Sequence, residues 1–171
     1  MMDETKQAEK VKVVQMTFKH LDEVLIIEQD SFPSPWSREG FRQEIINRNR
    51  SISLTALIED LVVGYSVAWF VVDEFYIGNI AVHSEHRRKG IGEMLLRTLL
   101  HQGFDKGCQL ATLEVRQTNR PAIQLYQKLG FRAVAVRKGY YTDTGENAIV
   151  MLRNLKQENQ TFSIHDLVYN V

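Results

Sequence analysis

Cysteine is nearly absent. Cys108 is the only one in 171 residues, so an intramolecular disulfide is excluded and a reducing compartment is expected. Net charge is missing too, with 21 basic residues against 21 acidic ones. No global field then favours nucleic acid or a membrane surface, and any anion site has to be local. No apolar run approaches the ~18 residues of a membrane helix, and the N-terminus lacks the apolar segment of a signal peptide. Repeats and low-complexity blocks are also lacking. These absences lead to the expectation of a soluble, cytoplasmic protein. The length suits one domain, and a domain of about 150 residues buries roughly 68–70% of its unfolded surface without needing staples.

The periodicity present divides the chain into short elements. Residues 1–11 are polar and charged and read as a loose tail before a strand at Val11–Met16. Leu21, Val24, Leu25 and Ile26 suggest a helix with Thr17 or His20 near its start, and Phe32-Pro-Ser-Pro-Trp36 breaks it. Ser37 is placed to cap a second helix running to about Asn47. Ser51–Glu59 and Leu61–Val72 read as strands joined at Glu59-Asp60, with Gly64 marking a bulge, and Phe75–His83 as a third strand of the meander. Ile91, Leu95, Leu96, Leu99, Leu100 and Phe104 recur at helical spacing. Gln109–Arg116 is a further strand, Pro121 opens a helix and Gly130 closes it. Phe131–Arg137 and Asn147–Leu155 form a hairpin with Asp143-Thr-Gly145 in its connection. The resulting order, β-α-α-β-β-β-α-β-α-β-β, predicts a single α/β domain over residues 12–155, a mixed sheet flanked by helices. Residues 156–171 form an extension that docks on the domain or on a partner.

The junction between the third meander strand and the long helix reads Arg87-Arg88-Lys89-Gly90-Ile91-Gly92. A helix start carries N–H groups without intrahelical partners and the positive end of the peptide dipoles, and glycines let the backbone curl around an anion. A P-loop needs Gly-x-x-x-x-Gly-Lys-Ser/Thr, which is absent, and the dinucleotide fingerprint needs a third glycine where this chain has Leu95. The pattern that fits is Arg-x-x-Gly-x-Gly. It is similar to the coenzyme A loop of the Gcn5-related N-acetyltransferase superfamily, in which backbone amides hold the pyrophosphate.

A second stretch, LEVRQTNRPAIQLYQKLGF from Leu113 to Phe131, joins Asn79-Ile-Ala-Val82, the glycine loop and Arg137-Lys-Gly-Tyr-Tyr141. Together they resemble the ribosomal-protein-alanine N-acetyltransferase family, over roughly residues 12–155, and Phe32-Pro-Ser-Pro-Trp36 resembles the segment bordering its substrate groove. The resemblance implies a mostly antiparallel sheet and acetyl transfer from acetyl-CoA to the α-amine of a protein, foremost a ribosomal protein beginning in alanine. An amine must lose a proton before attacking a thioester, and the departing thiolate must gain one. By resemblance Glu114 is the base and Tyr126 the acid. Arg87, Arg88, Lys89, Gly90, Ile91, Gly92 and Glu93 form the pyrophosphate loop, Ile80, Ala81 and Val82 face the pantetheine arm, and Asn119 hydrogen-bonds it. Tyr140 and Tyr141 hold the substrate.

Each residue also has a plainer reading. Glu114 can be a polar position on a half-exposed strand, Tyr126 a core aromatic, Asn119 a helix cap, and Tyr140 and Tyr141 ordinary hairpin aromatics. Cys108 has no histidine beside it in the pattern and reads as a small buried hydrophobe. His83 and His86 bracket a strand end but, three residues apart on an extended or loop segment, need not converge, and no cysteine or acidic ligand set accompanies them, so no metal is expected. The basic cluster lacks interleaved aromatics, which argues against direct nucleic-acid contact. Acetylation of lysine side chains or small amines, and acyl-CoA binding without turnover, are the rival functions.

Overall fold

A computed structural model describes residues 10–156 and the backbone of 169–170. Of the expected terminal segments, most of the tail and residues 157–168 therefore lie outside the described residues. Strand β1 spans Lys10–Gln15, followed by helices α1 (Leu21–Ser31) and α2 (Arg38–Ile46). The antiparallel meander β2 (Ser51–Ile58), β3 (Leu61–Val71) and β4 (Glu74–Val82) leads to α3 (Ile91–Asp105). Then come β5 (Leu110–Arg116), α4 (Arg120–Lys128), the hairpin β6 (Arg132–Tyr141) and β7 (Glu146–Asn154), and β8 (Tyr169–Asn170). The strands form one sheet in the order β6-β7-β5-β4-β3-β2-β1-β8, in which only β4 and β5 are parallel.

The expected order stands, with local corrections. Strand β1 starts at Lys10, a residue earlier than read, and β6 runs on to Tyr141, which puts Tyr140 and Tyr141 on a strand and leaves residues 142–145 as the turn. The extension returns to the sheet, where Tyr169 pairs with Val11. Local chemistry explains the helix ends. The Ser37 hydroxyl accepts the Gly40 N–H at 3.1 Å, and the Asn119 side chain accepts the Ala122 N–H at 3.3 Å beside the proline at the first turn of α4. Gly130 takes φ of +81° just past the end of α4.

Buried side chains cover both faces of the sheet. Helix α3 seals one face through Ile91, Met94, Leu95, Leu96 and Leu99, joined by Leu54, Ala56, Val63, Phe75, Ile77, Leu113 and Val115. Helices α1 and α2 seal the other through Leu21, Val24, Ile27, Phe41 and Ile45, packed on Tyr65 and Val67. Side chains must alternate between these cores along each strand.

Within the β2–β4 meander two bulges break the alternation. Beside Gly64, Val63 has no partner on β2, as the sequence indicated, and a Cβ on Gly64 would lie 3.0 Å from the Ala81 carbonyl oxygen. The second was not foreseen. Between Val67↔Asn79 and Ala68↔Ile77 the residue Gly78 is extra, so parity flips along β4. Phe75 and Ile77 face α3, as do Ile80 and Val82 after the flip, whereas Ala81 joins the α1 side. Gly78 is glycine because the Trp69 ring lies over it, 2.1 Å from where a Cβ would stand.

Candidate active site

Beyond this bulge the sheet opens. Strands β4 and β5 pair only from Glu74↔Leu110 to Ile77↔Leu113, yet β4 continues to Val82 and β5 to Arg116. The His83 N–H bonds the Val63 carbonyl on β3 at 2.9 Å. Because backbone groups alternate sides along a strand, Ile80 and Val82 turn theirs toward the gap, whereas Ala81 turns its own toward β3. A V-shaped cleft results, edged by the backbone groups of Ile80 and the N–H of Val82.

The glycine loop lies at the rim of that cleft. Gly90 is the N-cap of α3 with φ of +80°, Arg88 adopts φ of +67°, and the first helical bond runs from the Met94 N–H to the Gly90 carbonyl. Among the described residues no protein acceptor takes the N–H groups of Arg88, Lys89, Gly90, Ile91, Gly92 or Glu93. Their orphan donors and the dipole of a 15-residue helix suit a phosphate. The side chains of the loop divide. Arg88 and Lys89 are exposed, Ile91 is buried in the core, and Gly92 sits against Leu125 and Val82. Arg87 is committed elsewhere: its Nε donates to the Val82 carbonyl at 3.0 Å and its guanidinium pairs with Asp30 at 3.3 Å. Glu93 pairs with Arg97 one turn on along α3 at 2.9 Å and joins α3 to α4 through Lys128 at 2.6 Å. Burial raises its pKa, but those hydrogen bonds outweigh it and hold the carboxyl below its ordinary value.

Across the sheet, on the α1 side, stands Glu114. Leu113 and Val115 face α3, so the residue between them points the other way. The Glu114 side chain is only 6% exposed; one oxygen is ion-paired with Arg137 at 2.9 Å and the other accepts the Tyr76 hydroxyl. Burial first, then the bond to Glu114, raise the Tyr76 phenol far above its usual range. Tyr76 stacks on Trp69 at 5.6 Å and Trp69 on Trp36 at 5.7 Å. An aromatic wall thus runs from Glu114 to the Phe32–Trp36 loop. Behind it Glu28 is buried, accepting the Trp36 N–H at 2.8 Å, the Tyr65 hydroxyl and the Asn79 amide. Burial lifts the Glu28 carboxyl above its usual value against these donors.

Tyr126 is half-buried on α4, against the α3-side core and 5.9 Å from the Phe131 ring. Its phenol is pushed up to about 12 by burial and then by Tyr141. Tyr141 is itself raised to about 12, chiefly by burial, with Glu114 among its charged neighbours, and its ring carries the Arg116 guanidinium at 3.9 Å. Tyr141 thus stands electrically between Glu114 and Tyr126. Tyr140 is 41% exposed and meets Tyr141 edge-on. Asn119 is an exposed helix cap, its plainer reading. Ser34 donates to Asp143 at 3.4 Å, so the Phe32–Trp36 loop and the β6–β7 turn meet across the groove.

Tyr76, Trp69 and Arg137 were not singled out as site residues from sequence, because strand register brings them to Glu114. The sequence left the convergence of the two histidines open. The short turn Ser84–His86 brings ligand atoms of His83, Glu85 and His86 within 4.8 Å of one another, so the pair does converge and has an acidic neighbour. Cys108 is buried as read.

A model of the Acetyltransferase (GNAT) family matches residues 21–131. A protein of Bacillus subtilis (strain 168) named putative [ribosomal protein bS18]-alanine N-acetyltransferase is 37% identical over 142 residues, 83% of this chain and 94% of that protein. The [ribosomal protein bS18]-alanine N-acetyltransferase of Salmonella typhimurium is 38% identical over 73% of this chain and 84% of its own length. The crystal structure of the ribosomal-protein-S18-alanine N-acetyltransferase from Escherichia coli superimposes with a TM-score of 0.78 at 28% identity, covering 90% of this chain and 99% of that one. Since the matched residues include α1, the splayed strands, the glycine loop and α4, the chain belongs to the GNAT acetyltransferase family.

Proposed function

We propose that the protein transfers the acetyl group of acetyl-CoA to the α-amine of a protein N-terminus, with a ribosomal protein beginning in alanine as its substrate and the cytoplasm as its place of work. The family uses acetyl-CoA, and the relatives of 37 and 38% identity carry bS18-alanine acetyltransferase names. The observation that carries the reading is a mostly buried carboxylate, Glu114, beside an aromatic-walled groove on one side of the open sheet, with a phosphate-ready helix start at the rim.

Bound acetyl-CoA supplies an acyl group activated as a thioester. Orphan N–H groups from Arg88 to Glu93 hold the pyrophosphate, Ile80 and Val82 hydrogen-bond the arm, and Asn119 flanks it, with residues 12–155 as the catalytic domain. In the groove Glu114 accepts a proton from the amine, directly or through water, as the N–C bond forms. Tyr126 delivers its proton to sulfur as the C–S bond breaks. A phenol pushed up to about 12 stays protonated at neutral pH, so it holds a proton for the sulfur as charge builds there. Tyr140 and Tyr141 border the peptide.

Incubation with acetyl-CoA and a peptide that begins in alanine and contains one lysine, followed by fragment-ion mass spectrometry, tests the proposal. Acetyl on the first residue is expected. Acetyl on the lysine alone redirects the reading to side chains, and no turnover on any free N-terminus abandons it.

A further inference from the structure

We infer that the Arg137 guanidinium stands in for the substrate's ammonium group, holding the Glu114 carboxylate until a free amine takes its place. The inference rests on the reading of Glu114 as the group that receives the α-amine. Both oxygens of Glu114 are engaged, by Arg137 at 2.9 Å and by the Tyr76 hydroxyl. An approaching ammonium therefore meets a carboxylate whose charge is already answered. Lone pairs remain on its oxygens, but with the side chain only 6% exposed an ammonium reaches them by displacing one of the two partners.

The donors differ in how firmly they are held. Tyr76 lies on the part of β4 that is paired on both sides, opposite Trp69 on β3 and Thr112 on β5, and its ring is stacked on Trp69. Arg137 lies on the edge strand β6, is 57% exposed, and reaches Glu114 across Ala148 of β7, the residue paired with it. Just beyond it the β6–β7 ladder is irregular and Gly139 takes φ of +60°. A resting place is also at hand, since the guanidinium already lies 5.5 Å from the centre of the Tyr140 ring. Arg137 is the removable partner.

Charge explains why the exchange favours a free amine. Removing the partner of a buried carboxylate leaves an uncompensated charge, whereas exchanging it for another cation does not. An N-terminal ammonium provides that cation, with N–H donors where the guanidinium had them. An acetylated terminus has lost the charge and keeps a single amide N–H, so Arg137 returns against product. The residue thus selects for unmodified termini and helps to expel modified ones.

Calorimetry on the CoA-loaded enzyme tests this, using a peptide with a free N-terminal alanine and its Nα-acetylated twin. Replacing Arg137 by Gln removes the competitor. It is expected to tighten the free-amine peptide by roughly tenfold, the scale of one close charge pair, while leaving the acetylated twin unchanged. Arg137→Lys is expected to restore wild-type affinity within about twofold, because the competing charge returns. Weakening of both peptides, tightening of both, or no change in either overturns the inference, since a guanidinium that gripped the peptide backbone would serve the two alike. If the wild-type enzyme acetylates the peptide and Arg137→Gln fails to discriminate, only the stand-in role falls. If it acetylates no free N-terminus, the α-amine reading falls with it. Unchanged circular dichroism and unfolding midpoint of the variants establish that the fold is intact.

Discussion

At the scale of single residues, the site is one carboxylate and its company. Glu114, the proposed acceptor, lies on a strand where its neighbours Leu113 and Val115 are core. Glu114→Gln keeps the shape and the Tyr76 contact but removes the proton acceptor. It is expected to lower kcat by about 10²–10⁴, the range for general base catalysis, with CoA affinity within twofold or so; normal turnover would discard the assignment. The motif made Glu114, Tyr126 and the glycine loop legible from sequence. Tyr76 and Arg137 were not, because each meets Glu114 from another strand, and only the Tyr76↔Thr112 and Arg137↔Ala148 registers place them there. Val72 illustrates a different residue-level cost. It is 97% exposed at φ of +59° in the β3–β4 turn, a region costing an L-residue about 1–2 kcal/mol. Val72→Gly should raise stability by about 1 kcal/mol in urea titration and leave turnover unchanged.

Among the elements, β4 is where the sequence pattern and the structure part. Hydrophobic periodicity located the helices, because Ile91, Leu95 and Leu99 all fall on one buried stripe, and it located the strands by their alternation. It passed over Gly78, since a bulge is a matter between strands: the reason for that glycine is a ring on β3. Gly78→Ala tests the point. With the Trp69 ring 2.1 Å from the new Cβ, either the indole moves or the strand does. The cost expected for such overpacking is about 1–3 kcal/mol. Because Trp69 also stacks on Tyr76 and Trp36, the peptide KM should rise more than that for acetyl-CoA. Equal KM values for wild type and variant would separate the wall from substrate binding.

At the scale of the whole molecule, one buried acid among the described residues affects stability in the opposite sense to the other perturbed carboxylates. The Glu28 carboxyl is raised above its ordinary value by burial, so the folded state binds that proton more tightly than the unfolded chain does. Its contribution is fully present below the ordinary carboxylate value of about 4.3 and is lost as pH rises through the raised one. Glu93 is lowered, so its contribution is present above the ordinary value and lost as pH falls through the lowered one. Comparing urea midpoints of wild type and Glu28→Gln from pH 4 to pH 7 isolates the first effect. The variant is expected to gain relative to wild type as pH rises, and parallel curves would refute it.

The opening between β4 and β5 gives the resting protein an unfinished ladder: β4 after Ile77 and β5 after Leu113 lack each other as partners. A ligand that lies along Ile80 and Val82 then acts as a borrowed piece of strand, and part of the cohesion of the sheet belongs to whatever occupies the gap. Saturating acetyl-CoA at a hundred times its Kd should add about 2.7 kcal/mol to the unfolding free energy, visible as a higher melting temperature. A sequence change that closed the ladder directly would mimic that gain and leave a sturdier, silent protein.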